Sequence, residues 1–177
     1  MDNTVTQPPN TIAKPVKDFD LATDAITEHI EYVPFDRDLV IDVIKALESG
    51  SYKQTNNYLH TLDGYCCLGV MCDRVDASLW QREGLRLFVY KTLDDAQEVA
   101  TVLPQSIYSR LAIDANGGRL DGRQWTLPSG LEFSTLAGVN DNGAGFDEIA
   151  NLMRDYYGVT AEDLPLGPAG FHGNGAT

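Results

Sequence analysis

The sequence predicts an α+β fold that is mostly α-helical, with one compact domain of about four to five helices, a small β-hairpin and flexible tails. Three observations lead to this prediction. A chain of 177 residues with 43% hydrophobic residues has the length and composition of one globular domain. Apolar residues recur at helical spacing in several stretches. Two short apolar runs flank a Pro-Ser-Gly turn.

The two ends are predicted to be flexible because of their composition. Residues 1–17 are polar, contain three prolines and show no apolar period. Residues 161–177 are rich in glycine and proline. The globular domain is therefore predicted to span residues 18–160.

Two amphipathic helices are predicted in the first part of this domain. Residues 20–32 repeat apolar residues at roughly helical spacing, with carboxylates on the other face. The stretch "FDRDLVIDVIKALESG" is the stronger example, with Asp36 as the N-cap and Gly50 at the C-terminal end. Its apolar stripe consists of Val40, Val43, Ile44 and Leu47.

The stretch "GYCCLGVMCD", residues 64–73, follows a polar connector and predicts a buried helix. Residues 65–72 are apolar on every side, and a helix that is apolar all round belongs in a protein interior. Cysteine packs there as a small hydrophobe. Gly69 would allow another element to approach this helix closely.

Further elements are predicted in the second half. The run "LFVYKTL" is a strand or the start of a helix, and "LPQSIYSRLAI" is a short helix with Pro104 at its first turn. "RQWTL" and "LEFSTL" form a hairpin around "PSG". "FDEIANLMRDYY" predicts a last amphipathic helix, with Asp147 and Glu148 at its positive N-terminal end. Its apolar stripe consists of Phe146, Ile149, Ala150, Met153 and Tyr157.

The charge of the chain narrows the classes of partner. A formal net charge of -13 repels phosphate backbones and anionic lipids, so we expect no direct nucleic-acid binding and no membrane association. No apolar run has the length of a membrane span, and the N-terminus lacks the features of a signal peptide. We therefore expect a protein of the host cell cytosol, where three cysteines remain thiols.

The cysteines allow two chemical interpretations besides packing. A zinc site is disfavoured, because Cys66, Cys67 and Cys72 point in different directions on one helix. A nucleophilic thiol remains an alternative, with Cys66 or Cys67 at a helix start and His60 as the base. The chain has no histidine between 61 and 171, where hydrolases of the papain type place theirs. Packing is therefore the favoured interpretation, and no metal or cofactor is expected.

Two polar segments are the candidates for ligand binding. The glycine-rich stretches "GVNDNGAG" and "DANGGRLDG" lack the ligand spacing of a calcium loop, and no phosphate-binding loop of the G-x-x-x-x-G-K type occurs. Polar side chains are concentrated before the cysteine stretch and before the last helix instead. The candidate residues are Gln54, Asn56, Asn57, Tyr58, Asn140, Asp141 and Asn142.

Four motifs together resemble a group of small, uncharacterised proteins of bacteriophages, prophages and plasmids. The matching stretches are "ALESGSYKQ", "GYCCLGVMCD", "LPQSIYSRLAI" and "VNDNGAGFDEIANLM". The departure is Gly145, which stands where the group has a serine before Phe146 and removes a side-chain N-cap. The resemblance implies an origin in a mobile element and no particular activity.

The expected function is that of a non-enzymatic phage or prophage accessory protein that binds a host protein or a small ligand. Host takeover and counter-defence are the roles that such proteins serve. This expectation rests on an acidic chain without visible catalytic machinery and on an analogy of origin. A cysteine-dependent hydrolase or transferase, or a component of the virion or its assembly, are the alternatives.

Overall fold

A computed structural model describes residues 7–21, 24–92, 99–114 and 117–164. Within these residues the chain forms five α-helices and eight strands in three antiparallel sheets, so that 36% is helical and 28% is strand. The prediction of a mostly α-helical fold is therefore wrong, and the architecture is mixed α/β. Six of the eight strands that the structure describes have only two to four residues, too few for an alternation of apolar and polar residues to be recognised in the sequence.

The largest difference lies at the start of the chain. Strands β1 (Thr11–Asp20) and β2 (Ala25–Pro34) form a long antiparallel ribbon. Residues 25–32 of the helix predicted over 20–32 thus belong to β2, and part of the tail predicted at 1–17 belongs to its partner β1. The β-branched residues of β2 suit a strand once β1 is available to pair with it. Pro15 is tolerated in β1 because this strand lies at the edge of its sheet, where a missing N–H leaves no neighbouring strand unpaired. Residues 1–6 of the predicted tail lie outside the described residues.

Helix α1 (Arg37–Glu48) confirms the stronger N-terminal prediction. Asp36 is its N-cap and accepts a hydrogen bond from the Leu39 N–H at 3.0 Å. Arg110 also pairs with the Asp36 carboxylate and lowers its pKa. The predicted stripe of α1 is buried.

A four-stranded sheet lies beside the cysteine helix. Its strands are β3 (His60–Thr61), β4 (Gly64–Tyr65), β5 (Trp80–Glu83) and β6 (Leu87–Tyr90), in the order β4-β3-β6-β5. Helix α2 (Cys67–Asp76) follows β4 directly, and a short 3-10 helix, Ala77–Leu79, leads into β5. The first four residues of the run "LFVYKTL" therefore form a strand, which was one of its two predicted structures.

The second half of the chain supplies the remaining α-helices and a hairpin. Helix α3 (Gln105–Leu111), the hairpin β7 (Trp125–Thr126) and β8 (Glu132–Phe133), and helix α5 (Phe146–Tyr157) confirm the predictions. Helix α4 (Leu136–Asp141) was not predicted. The Tyr157 hydroxyl donates to the Leu111 carbonyl at 2.7 Å and joins α5 to α3. The predicted C-terminal tail begins with a 3-10 helix, Ala161–Asp163, and residues 165–177 lie outside the described part.

The core forms where α1 packs against both α2 and α5. Val43, Met71 and Ile149 each have no exposed surface. These three helices carry the amphipathic or apolar patterns on which the prediction rested. Among the residues that the structure describes, no helix is long and apolar enough to cross a membrane.

Candidate functional site

The three thiols lie in the interior. Cys66 occupies the N-cap position of α2, Cys67 is its first residue, and both are buried, as is Cys72. Burial raises the pKa of the Cys66 thiol to about 11 and the pKa values of Cys67 and Cys72 well above their ordinary value. The Cys67 Sγ donates a hydrogen bond to the Leu136 carbonyl at 3.5 Å. These thiols are protonated and shielded from solvent. This state suits a packing role, whereas nucleophilic attack requires an accessible thiolate.

His60, the candidate base, is enclosed by aromatic rings. Its ring stacks between Tyr65 and Phe88, with centroid distances of 3.8 and 4.1 Å. Its Nδ1 is buried and has no hydrogen-bond partner among the described residues. Desolvation lowers the pKa of His60, and the Asp73 carboxylate partly opposes this shift. No hydrogen bond of the described residues joins His60 to a cysteine, so the structure does not assemble the predicted dyad.

The environment of His60 makes stability depend on pH. Its pKa in the folded state lies below the ordinary value of 6.5, so the unfolded chain takes up this proton first as the pH falls. We expect the free energy of unfolding to decrease as the pH falls below about 6.5, before the carboxylates titrate. His60→Phe should remove this part of the decrease, measured by urea unfolding at about pH 7.5 and about pH 5.5. His29→Gln, on the exposed ribbon, is the control; equal effects of the two substitutions would contradict the prediction.

The polar candidates are brought together by a buried amide. Asn140, in α4, is 1% exposed. Its Oδ1 accepts hydrogen bonds from Gln54 Nε2 at 3.0 Å and from the Cys67 N–H at 3.2 Å. Its Nδ2 donates to the Thr55 carbonyl at 2.9 Å and to Asp141 Oδ1 at 3.0 Å. A buried amide that uses both its carbonyl and its amino group fixes the segments it joins.

Neighbouring bonds extend this connection. The Asn57 N–H donates to Asp141 Oδ1 at 3.0 Å, and Gln54 Nε2 also donates to the Ala144 carbonyl at 2.7 Å. Cys66 supplies no side-chain cap to α2, so Asn140 provides the acceptor for the first N–H of that helix from a distant segment. Asn142, the C-cap of α4, stays apart, since its side-chain amide donates to the carbonyl of Gly138 in the same helix. Five of the predicted residues therefore meet: Gln54, Asn56, Asn57, Asn140 and Asp141.

The loop held in this way forms one wall of a cleft of about 380 Å³. Residues 55–58 line this wall, and Tyr58 is 44% exposed. The opposite wall comes from the β3–β4 turn and the start of β6. It consists of Thr61, Asp63, Arg86 and Leu87. Asp63 and Arg86 form an exposed ion pair, so this wall combines hydroxyl, charged and apolar surface without a net charge.

The second wall of the cleft was not predicted from the sequence. Arg86 and Leu87 are distant from the loop in sequence, and the pairing of Thr61 with Leu87 places them beside it. No local pattern predicts that pairing, because each strand contributes only two to four residues. In the described part of the chain, no three His, Cys, Asp or Glu side chains converge as a metal site.

A model of a protein family, the Domain of unknown function (DUF8296), matches residues 40–157. The matched region is more than half of the chain and contains Asn140, the cysteine helix and the whole cleft. No curated protein and no solved structure matches the chain. The chain therefore belongs to the DUF8296 family.

Proposed function

We propose that this chain is a non-enzymatic accessory protein of a bacteriophage or prophage, and that it binds a small polar ligand in the cleft between residues 55–58 and Arg86. The observation that carries the proposal is the anchored loop. Hydrogen bonds to Asn140 and Asp141 fix the backbone of residues 55–58. The side chains of this loop therefore line the cleft in the absence of a ligand. A binding surface ordered in advance loses less conformational entropy on binding.

The cleft favours a ligand of particular chemistry. Tyr58 offers an exposed ring for a planar group, and the amides and hydroxyls of the loop offer donors and acceptors. Arg86 is neutralised by Asp63, and the chain as a whole carries a net charge of -13. An uncharged planar molecule such as a nucleoside therefore suits the cleft better than its phosphate ester does. The volume falls within the range of roughly 300 to 1,000 Å³ that is usual for small-molecule sites.

The phage origin is supported by the resemblance of the four motifs, and the host role by analogy with proteins of that origin. Sequestering a ligand in a host cell, as in takeover or counter-defence, needs binding without turnover. The geometry gives the hydrolase alternative no support, because its thiols are buried and protonated. Rapid labelling of native Cys66 or Cys67 by iodoacetamide would restore that alternative.

Ligand-observed NMR with a panel of nucleosides and their 5′-monophosphates tests the proposal. We expect at least one nucleoside to bind, more tightly than its monophosphate, and to remain chemically unchanged. Tyr58→Ala should weaken this binding about tenfold or more, because it removes the stacking surface. The matched control is Phe19→Ala, which truncates an aromatic side chain of 54% exposure outside the cleft. A panel without binding, turnover of a bound compound, or equal losses in the two variants would contradict the proposal.

A further inference from the structure

The ribbon of β1 and β2 presents its apolar face to solvent. Along β1, Ile12 is buried and Val16 is partly buried, whereas Pro15 and Phe19 are exposed. Alternate residues of a strand lie on opposite faces, so Ile12, Lys14 and Val16 share the face that meets the body at the base of the ribbon, and Pro15 and Phe19 share the other, outer face. Towards the tip, both faces are exposed. The outer face carries Phe19 opposite Ile26 and Pro15 opposite Ile30. The ribbon thus reverses the usual pattern, in which the apolar face of a sheet is covered.

The exposure is large for these side chains. Phe19 is 54% exposed, Ile26 64% and Ile30 54%, and Leu21 beside the turn is 88% exposed. Lys17 and Glu28 form the one ion pair seen within this outer face among the described residues, at 2.6 Å. Exposed apolar pairs on both sides of a single ion pair form a surface that is typical of an interaction site.

The edges of the ribbon are also open. In the described part of the chain, β1 and β2 pair only with each other. Each strand has ten residues, longer than the usual strand of five or six, and a two-stranded ribbon alone is only marginally stable in water. Its base is attached to the body by the buried Ile12 and by the Lys14–Asp121 ion pair at 2.7 Å. Beyond this base, each strand has one edge without a neighbouring strand among the described residues, and an extended segment can pair with such an edge as an added strand.

The negative charge of the ribbon indicates which class of partner it would bind. Residues 11–34 contain five carboxylates and two lysines. Both lysines are already paired, Lys14 with Asp121 and Lys17 with Glu28. A second copy of this chain is disfavoured as the occupant, because each copy carries a net charge of -13. A basic segment with alternating apolar side chains matches the charge, the open edge and the apolar face together.

We propose that the ribbon docks an extended, basic segment of another protein, which adds to its open edge and covers Phe19, Ile26 and Ile30. This surface is separate from the cleft and does not depend on the function proposed for it. The ribbon also lies before residue 40, where the family match begins. Ligand binding and partner docking are therefore assigned to different parts of the chain.

A defined peptide tests the docking. The probe is a fluorescent ten-residue peptide in which lysine alternates with valine, as long as β2. Fluorescence anisotropy should show saturable binding that weakens between about 50 mM and about 300 mM salt, because exposed charges are screened. The corresponding glutamate–valine peptide should not bind. Chemical shift changes in the labelled protein should fall within residues 11–34, and changes confined to residues 55–63 would overturn the proposal.

The variant for this test replaces both Phe19 and Ile26 with threonine, which keeps the preference for strand. Its affinity for the lysine–valine peptide should fall about tenfold or more. Leu85→Thr is the matched control, since Leu85 is 83% exposed in another turn and should leave the affinity unchanged. Unchanged affinity of the double variant would overturn the proposal. A wild-type dimer that the double variant abolishes would overturn it as well, because the occupant would then be a second copy.

Discussion

Replacing Asn140 with alanine is expected to lower the free energy of unfolding by about 3 kcal/mol. The substitution removes an acceptor from the Cys67 N–H and a donor from the Thr55 carbonyl. These backbone groups lie in a buried or partly buried region, and leaving such a group without a partner costs more than a hydrogen bond contributes. In a chain of this size the melting temperature should fall by about 6 to 12 °C. Urea unfolding followed by circular dichroism measures the change.

The matched control is Asn142→Ala, two positions further along. The Asn142 side chain is exposed, and in the described part of the chain its amide group makes one hydrogen bond, to the Gly138 carbonyl at 2.8 Å, so the loss should be about 0.5 to 1 kcal/mol. Asn140→Ala should also weaken ligand binding in the cleft, because the loop loses its support. Equal stabilities of the two variants would show that the buried amide does not hold the segments together.

A second large effect is expected at Gly69, in the cysteine helix. A Cβ built on this residue would lie 2.6 Å from the carbonyl carbon of Leu59, and its nearest contact would be the oxygen of that carbonyl. The obstacle is backbone, so it cannot rotate away as a flexible side chain does. The same carbonyl accepts the Cys66 N–H at 3.1 Å, which fixes the distance between α2 and the residues before β3. Gly69→Ala should therefore lower the free energy of unfolding by about 3 kcal/mol or more.

This loss would occur although alanine favours a helix over glycine by about 1 kcal/mol. Gly145→Ala is the control, because its Cβ would meet nothing within 4 Å and its φ of -72° suits any residue. At this N-cap position the change should cost less than about 1 kcal/mol. A Gly69→Ala protein as stable as the wild type would show that α2 does not need this close approach.

The helices of the core could be predicted because their information is local. The stripe of α1 and its Asp36 cap lie within a short stretch, and so do the stripe of α5 and the all-round apolar pattern of α2. The ribbon could not be predicted in the same way. Its second strand mimics a weak helical pattern, and Pro15 in its partner suggests a tail, so each strand is recognised only beside the other.

The candidate site shows the same division. The concentration of polar residues predicted a binding role for four residues that the structure joins by hydrogen bonds: Gln54, Asn57, Asn140 and Asp141. It assigns them different roles, since Asn140 supports the loop from the interior while the loop lines the cleft. No local pattern in the sequence marked Arg86 as a residue of the site, because its position beside the loop depends on the pairing of β3 with β6.

By itself, the sequence determined the amphipathic helices of the core, the packing role of the cysteine stretch and the acidic surface, since each depends on residue types at short spacing. The tertiary structure alone decided that the first two strands form a ribbon with an exposed apolar face. It also decided that a buried asparagine joins two polar segments 84 or more residues apart and supports the loop that forms one wall of the cleft. The physical reason is that a strand of the ribbon is recognised only together with its partner, whereas the pairing of β3 with β6 and the partners of a buried amide depend on which distant segments meet.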